Sequence, residues 1–440
     1  MMDPVTVGAL SVAAIFILII LGFHIGVALA AVSFSGVYLI TGKFRVAASI
    51  LQTTAYNGVN DYIFAVIPLF VVMGLFATQS GATRDLFDAA EALLHRVKGG
   101  VGAATVIANA IFAAITGVSV ASAAVFSKLA IPEMNRLGYD RKFGLGIVAS
   151  SALLGMLIPP SILMIVYGVI TEESIGRLFA AGIGPGLVVA AVLIATILVW
   201  VRIDPAIVGR EGEIPAGPGM TRLALFIKVL PIFALIALVL GGIYGGFFTP
   251  TEAGAIGALG ALALILLRRR FTVQSLMVIL LDTGKACASI FFLLITAQMY
   301  SRMLTLSRLP ETLTTWASAL QVPGLVILLA FIVVLLILGC IIDSVSILLL
   351  TMPIMVPIAL TLGYDKVWFG MIAIVTIELG LLTPPFGMVV FAMKASLPPD
   401  VRIEEIFLGS APFFVVLLLA LALVIAFPEI SLFIPRLLIG

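Results

Sequence analysis

Charge is scarce in this 440-residue chain: Asp, Glu, Lys and Arg make up 10% of it, against 62% hydrophobic residues. A water-soluble globule carries about a quarter charged residues, so the composition describes a chain that lives in a lipid bilayer. Lys and Arg number 24 and Asp and Glu 22, a formal net charge of +2. That balance leaves no basic excess for nucleic acid and no acidic excess for a disordered solvating region. The two cysteines both lie in apolar sequence and fit neither a disulfide framework nor a zinc site, which takes about four ligands at recognisable spacing. Cys287 and Cys340 are therefore read as packing residues, and His24 as an ordinary polar turn residue. The sequence has no Walker P-loop, so the chain is not itself an ATP-driven pump; Gly-x-Ser-x-Gly and His-Glu-x-x-His are absent too, which argues against an intramembrane hydrolase. No basic stretch precedes the first apolar run, so the cleavage-like Ala28-Leu29-Ala30 is expected to be retained.

What is present is long apolar sequence. A helix needs about 20 apolar residues to cross a hydrocarbon core of about 30 Å, and runs of this length exclude a barrel, whose strands alternate. Ten full spans are expected, at residues 5–21, 25–41, 62–78, 143–170, 178–201, 229–247, 252–267, 286–301, 369–393 and 411–430. Two further apolar segments, 101–136 and 322–361, are interrupted by Gly, Ser or Asp near their middles and read as re-entrant hairpins. With the N-terminus outside, Arg84, Arg96, Lys98, Lys228, the Arg268-Arg269-Arg270 triplet and most other basic residues fall inside. A smaller set, including Arg177, Arg302, Arg308 and Lys366, falls outside, as the positive-inside rule requires. Trp316 and Trp368 are assigned to interfacial belts.

The chain repeats itself. Pro132, Leu137-Gly138-Tyr139-Asp140, Leu154-Gly155, Leu157 and Pro159-Pro160 recur 225 positions later as Pro357, Leu362-Gly363-Tyr364-Asp365, Leu379-Gly380, Leu382 and Pro384-Pro385. This divides the chain into a first repeat, 1–210, a cytoplasmic Pro- and Gly-rich linker, 202–228, and a second repeat, 220–440. An odd number of crossings per half, about five, inverts the second copy relative to the first, the build of secondary transporters. Within each half a lateral amphipathic segment (44–60; 271–285) precedes a span, a hairpin and a broken helix (143–170; 369–393).

The hairpins turn at Thr116 to Ser122 and at Gly339 to Ser346. A helix interrupted inside the bilayer frees carbonyls and N–H groups that need an ion, a substrate or a neighbouring helix. Freed carbonyls with Ser/Thr hydroxyls suit a small cation, and the helix N-termini near Ser119 and Ser344 suit an anion; small-residue helix packing is the alternative. Each broken helix carries a Pro-Pro that removes two intrahelical donors and leaves upstream carbonyls free, or else merely kinks the helix. Asp343 and Glu378 are acidic residues deep in apolar sequence and so functional candidates. Asp343, in a hairpin tip, is the stronger, while for Glu378 a structural role and ion binding both stay open.

At these residues the sequence resembles the large membrane subunit of tripartite ATP-independent periplasmic (TRAP) transporters, within the ion-transporter superfamily. The likeness spans essentially the whole chain and is carried by Gly117-Val118-Ser119-Val120-Ala121-Ser122, Ile131-Pro132-Glu133-Met134, Gly138-Tyr139-Asp140, Ile158-Pro159-Pro160-Ser161, Pro353 with Pro357, and Leu382-Thr383-Pro384-Pro385-Phe386-Gly387. The resemblance implies an all-α polytopic fold of two inverted repeats, an elevator mechanism, Na+ as coupling ion, and no enzymatic activity. It implies as partners a small four-helix membrane subunit and a periplasmic binding protein that delivers an organic acid, such as a C4-dicarboxylate or sialic acid, across the bacterial inner membrane. It places cation ligands at Thr116, Gly117, Ser119 and Ser122 with Ser150, Ser151 and Pro159, and at Gly339 and Asp343 with Thr376, Gly380 and Thr383. Substrate contacts fall at Ser119, Ser122, Asp343, Ser344 and Ser346. A stand-alone carrier of the same superfamily and an ion channel are the competing readings.

Overall fold

The computed structural model describes residues 2–60, 62–94, 96–209, 222–319 and 322–438, and every regular element among them is helical. In chain order the first half contains α1 (Pro4–Ile20), α2 (Ile25–Thr41), α3 (Phe44–Asn60), α4 (Val66–Gln79), α5 (Ala82–Leu94), α6 (Gly100–Thr116), α7 (Ser119–Leu137), α8 (Arg141–Ala152), α9 (Leu154–Leu157), α10 (Ile162–Thr171) and α11 (Ile175–Ile203). The second contains α12 (Arg222–Tyr244), α13 (Pro250–Leu267), α14 (Val273–Ser307), α15 (Leu309–Ala319), α16 (Gly324–Gly339), α17 (Ser344–Thr361), α18 (Lys366–Gly380), α19 (Met388–Ser396), α20 (Ile403–Ala426) and α21 (Glu429–Leu438).

Seven described helices are long and apolar enough to cross a bilayer, and an eighth span forms if α8–α9 and α10, bent by 40°, are taken together. Ten crossings were expected. The difference has local causes: α1 and α2, of 17 residues each, are at the short end of what spans a bilayer, and the expected span 369–393 is split by its Pro-Pro into α18 and α19. Conversely α17, read as a hairpin arm, is long enough by itself. With its many exposed apolar side chains, from Leu10 to Phe433, this is a multi-pass membrane protein.

Four expectations are corrected. The lateral segment 271–285 and the span 286–301 are one uninterrupted helix, α14, whereas the corresponding 44–60 segment ends at Asn60. Asn57-Gly58-Val59-Asn60 supplies turn-forming residues there, whereas α14 continues through the matching Asp282-Thr283-Gly284-Lys285. The span 411–430 ends at Ala426, because Pro428 cannot continue the helix. The linker 202–228 is shorter at both ends, since α11 runs to Ile203 and α12 starts at Arg222; residues 210–221 lie outside the described residues. Trp368 is no belt residue: it is buried and its indole N–H donates to the Val424 carbonyl at 3.1 Å. Trp316 is exposed.

Ion pairs tie several of the basic residues to acidic partners. Arg268 pairs with Asp85, and Lys228 with Asp85 and Asp88, each at 3.4 Å. On the other set, Glu173 pairs with Arg177 at 3.5 Å and Lys366 at 4.0 Å. Helix α5, which sequence reading passed over, buries Leu86, Phe87 and Ala90 on one face and points its carboxylates away from it. On that polar side, burial pushes the Glu91 carboxyl up to about 7, with Glu133 and Asp88 adding to the shift and Arg136 of α7 opposing it. A carboxyl held above its usual 4.5 stabilises the fold fully below that pH, and this contribution fades as the pH climbs through 7. Glu91→Gln is therefore expected to raise the thermal midpoint by a few degrees at about pH 8 and to leave it unchanged at about pH 4. Equal shifts at both pH values would contradict this.

Candidate functional site

In the first half, α6 ends where Gly117 turns into the left-handed region (φ 64°), its N–H closing on the Ala113 carbonyl. Val118 is extended and starts α7 without a side-chain cap. This tip sits on the interruption between α9 and α10: Ile162 N–H donates to the Gly117 carbonyl at 3.4 Å. The fit leaves no spare room. A Cβ on Gly117 would stand 2.5 Å from the Pro160 carbonyl oxygen, and one on Gly155 2.8 Å from the Ser119 Cα.

The second half repeats the arrangement. Helix α16 ends at Gly339, and α17 starts after Asp343, whose Oδ1 accepts from Ser346 N–H at 3.0 Å. Phe386 N–H, just past Pro384-Pro385, donates to the Cys340 carbonyl at 3.1 Å, and the Cys340 Sγ lies 2.8 Å from the Thr383 hydroxyl. Gly339 and Gly380 face each other: a Cβ on either would lie 2.5 or 2.6 Å from the other's Cα. The Pro-Pro peptide is cis in both halves. The surroundings differ, because Pro159 and Pro160 are buried while Pro384, Pro385 and Phe386 are exposed.

The halves also cross. Ser119, the first residue of α7, donates its hydroxyl to Glu378 Oε2 on α18. Ser344, the first residue of α17 and 225 positions later, contacts Met156 of α9 at 3.6 Å. So the structure brings Gly117 and Ser119 against the first break, and Gly339 against Gly380 and the Thr383 break. Asp343 is half-buried and acts locally as a helix cap. Three residues outside the expected ligand set belong to this centre: Glu378, Gly155, and Asn109 on α6, whose amide donates to the Ser151 hydroxyl at 3.0 Å. Each left a trace, Glu378 and Asn109 as polar residues in apolar helices and Gly155 as the repeat partner of Gly380.

Hydroxyl bookkeeping shows what these residues can bind. The carbonyls that the prolines were expected to leave free are partly covered: Ser161 donates to the Met156 carbonyl at 2.6 Å and Thr383 to that of Gly380 at 2.6 Å. Thr116 donates to the Phe112 carbonyl, Ser150 to Gly146, Ser151 to Val148 and Thr376 to Ile372. Each hydroxyl spends its hydrogen on its own chain segment and keeps oxygen lone pairs, while Ser122 and Ser346 have buried hydroxyls without a partner. These oxygens are hard donors, and the Cys340 and Met156 sulfurs stand beside them. Among the described residues no group of three or more His, Cys, Asp or Glu could hold a transition metal. Thr383→Ala is expected to raise the sodium concentration for half-maximal uptake about tenfold, a loss of about 1.4 kcal/mol, because it removes both an oxygen and the cover over the Gly380 carbonyl. Superimposable sodium activation curves would make Thr383 a packing residue.

Two clefts involve α17 and α7. One, of about 460 Å³, is lined by Thr171, Met352, Pro353, Val356, Pro357 and Lys366, with Thr305 of α14 and Arg308 just past its end. The other, of about 500 Å³, is lined by Ser396, Ser127, Lys128, Ile131, Pro132 and Arg141. Taken in order, the six residues of each cleft stand 225 positions from their counterparts. A third cavity, of about 580 Å³, lies between α10 and α14 and contains Glu172, Glu173 and Arg302.

Comparison with known proteins identifies the lineage. The family model described as the tripartite ATP-independent periplasmic transporter, DctM component, matches residues 12–430. The chain belongs to that family. The permease is 36% identical over 383 residues to a C4-dicarboxylate TRAP transporter large permease protein of Pseudomonas aeruginosa, covering 86% of this chain and 87% of that one. It is 31% identical to the sialic acid TRAP transporter large permease protein of Vibrio cholerae, covering 87% and 88%. Among solved structures it resembles the YdaH transporter of Alcanivorax borkumensis, with a TM-score of 0.63 over 90% of this chain and 89% of that chain at 17% identity, a likeness of fold. Relatives of the permease include ectoine and isethionate transporters as well, so substrate varies across the family while the transport role does not. The permease is a transport protein and not an enzyme.

Proposed function

We propose that this permease is the translocation subunit of a sodium-coupled importer of small organic acids in the bacterial inner membrane, working with a periplasmic binding protein and a small four-helix membrane subunit. The observation that carries the reading is the paired seating of a hairpin tip on a Pro-Pro break, once in each half, with the two seats linked through Ser119 and Glu378. Matching clefts beside α7 and α17 fit two inverted copies, one cleft serving each face of the membrane, and alternating access by sliding of the hairpin-bearing unit. The cleft containing Arg308 and Lys366 is the periplasmic one on this reading, since both residues belong to the sparse basic set.

Sodium is favoured over a nucleotide as energy source because the sequence has no phosphate-binding loop and the tips offer hard oxygens. The test is uptake of labelled organic acids into proteoliposomes holding the permease and its small subunit, with and without an inward sodium gradient and binding protein. Uptake is expected only with both. Uptake that needs no binding protein would instead identify a stand-alone carrier, and uptake that ignores sodium would remove the proposed coupling ion.

A further inference from the structure

Glu378 is the only charged side chain in the fully buried set among the described residues. It forms no ion pair there. Its Oε2 accepts from the Ser119 hydroxyl, and its Oε1 is buried without a hydrogen bond. The same Ser119 hydroxyl lies 3.5 Å from the Leu153 carbonyl, at the break between α8 and α9. Leu153 and Glu378 stand 225 positions apart, so one repeat places a carboxyl where the other places an aliphatic chain. Oxygens from α7, the α8–α9 break and α18 thus meet where the two repeats touch.

An isolated carboxylate in such surroundings costs several kcal/mol, and one hydroxyl donor does not offset it. Nor does any neighbouring ionisable group. Of the helices packed against α18, α9 and α16 carry none, and α17 is preceded by Asp343, already engaged with Ser346 N–H. Tyr167 on α10 donates to the Lys366 carbonyl. Arg177 and Arg202 lie near opposite ends of α11, Glu404 and Glu405 open α20, and Glu429 and Arg436 pair with each other on α21. On α7 the nearest is Lys128, exposed in its cleft. The charge has to be balanced by something that enters the site.

We propose that Ser119, Leu153 and Glu378 form a monovalent-cation site shared between the repeats, adjoining the first tip-on-break seat through Ser119 and taking sodium or a proton. Occupancy holds the first hairpin tip against α18, and lifting that tip breaks the Ser119–Glu378 contact and releases the cation, so binding and tip closure are linked. The coupling consequence rests on the transport reading above; the binding site itself does not.

Carbodiimide labelling of the intact permease with its small subunit, in membranes, tests the site without any transport. A protonated carboxyl in apolar surroundings passes its proton to a nitrogen of dicyclohexylcarbodiimide and adds its oxygen to the central carbon, the product rearranges to a stable N-acylurea, and peptide mass spectrometry locates the adduct. Glu378 is expected to be labelled in the wild type and silent in Glu378→Gln. If the occupant is sodium, labelling at fixed pH and ionic strength falls as sodium replaces choline. If it is a proton, labelling ignores sodium and falls as the pH is raised between about 5 and 9. Labelling indifferent to both, or absent throughout, overturns the proposal. In reconstituted vesicles Glu378→Gln is expected to move one positive charge fewer per substrate, and Gly284→Ala, remote from the site, to keep the wild-type ratio. An unchanged ratio in Glu378→Gln overturns the coupling role. If Glu378→Gln does not fold, wild-type labelling alone decides, and failure of wild-type uptake bears only on the proposed function.

Discussion

Alanine at position 339 is expected to lower sodium-driven uptake by more than about 100-fold, or about 2.7 kcal/mol. The new Cβ would stand 2.5 Å from the Gly380 Cα; its position is fixed by its own backbone and its neighbour is main chain, so no rotamer relieves the overlap. The second tip must lift off its break. With it go the 3.1 Å bond from Phe386 N–H to the Cys340 carbonyl and the approach of Cys340 to Thr383. Gly380→Ala acts on the same contact from the other side and should behave alike. Gly284→Ala is the control, since no atom lies within 4 Å of its Cβ and it sits within the long helix α14. Uptake within about twofold of wild type in Gly339→Ala, with the protein still monodisperse, would show that the tip need not seat to carry ions.

Asp343→Asn separates a charge from a helix cap. Asparagine caps a helix about as well as aspartate, so the bond from Ser346 N–H at 3.0 Å survives and thermal stability should stay within a degree or two. The negative charge does not survive. If the half-buried carboxylate also balances a cation or orients substrate at the second tip, uptake falls by more than about 100-fold while the fold persists. Asp343→Ala should in addition destabilise by about 1 kcal/mol through loss of the cap. Normal uptake in the asparagine variant would leave Asp343 with the cap as its whole role.

Both experiments address residues that were legible before any coordinates, because a hairpin inside apolar sequence announces itself by Gly, Ser and Asp where a spanning helix would carry Leu and Val. The double prolines were legible for the same reason: they deny the backbone two donors, and no packing can restore them. Less visible was how the chain compensates. Ser161 and Thr383 turn their hydroxyls onto the carbonyls of Met156 and Gly380, a repair that depends on the local path of the chain after each break. Trp368 was misplaced because an indole reads the same in a belt and in a core, and its partner, the Val424 carbonyl, lies 56 residues away. Helices α5, α15 and α21 carry no long apolar run, being short and amphipathic, although the apolar stripe of Leu86, Phe87 and Ala90 in α5 is a helical signal.

By itself the sequence determined that this is a membrane protein with a pattern repeated 225 positions apart, since hydropathy, helix interruption and self-similarity are local properties that each segment carries whatever surrounds it. Only the tertiary structure decided which oxygens meet. Ser119 and Glu378 are 259 residues apart and belong to different halves, and α14 runs unbroken where its counterpart stops. Contacts of that kind depend on how two copies dock, and docking is set by the shape of whole faces, which no short stretch of chain specifies.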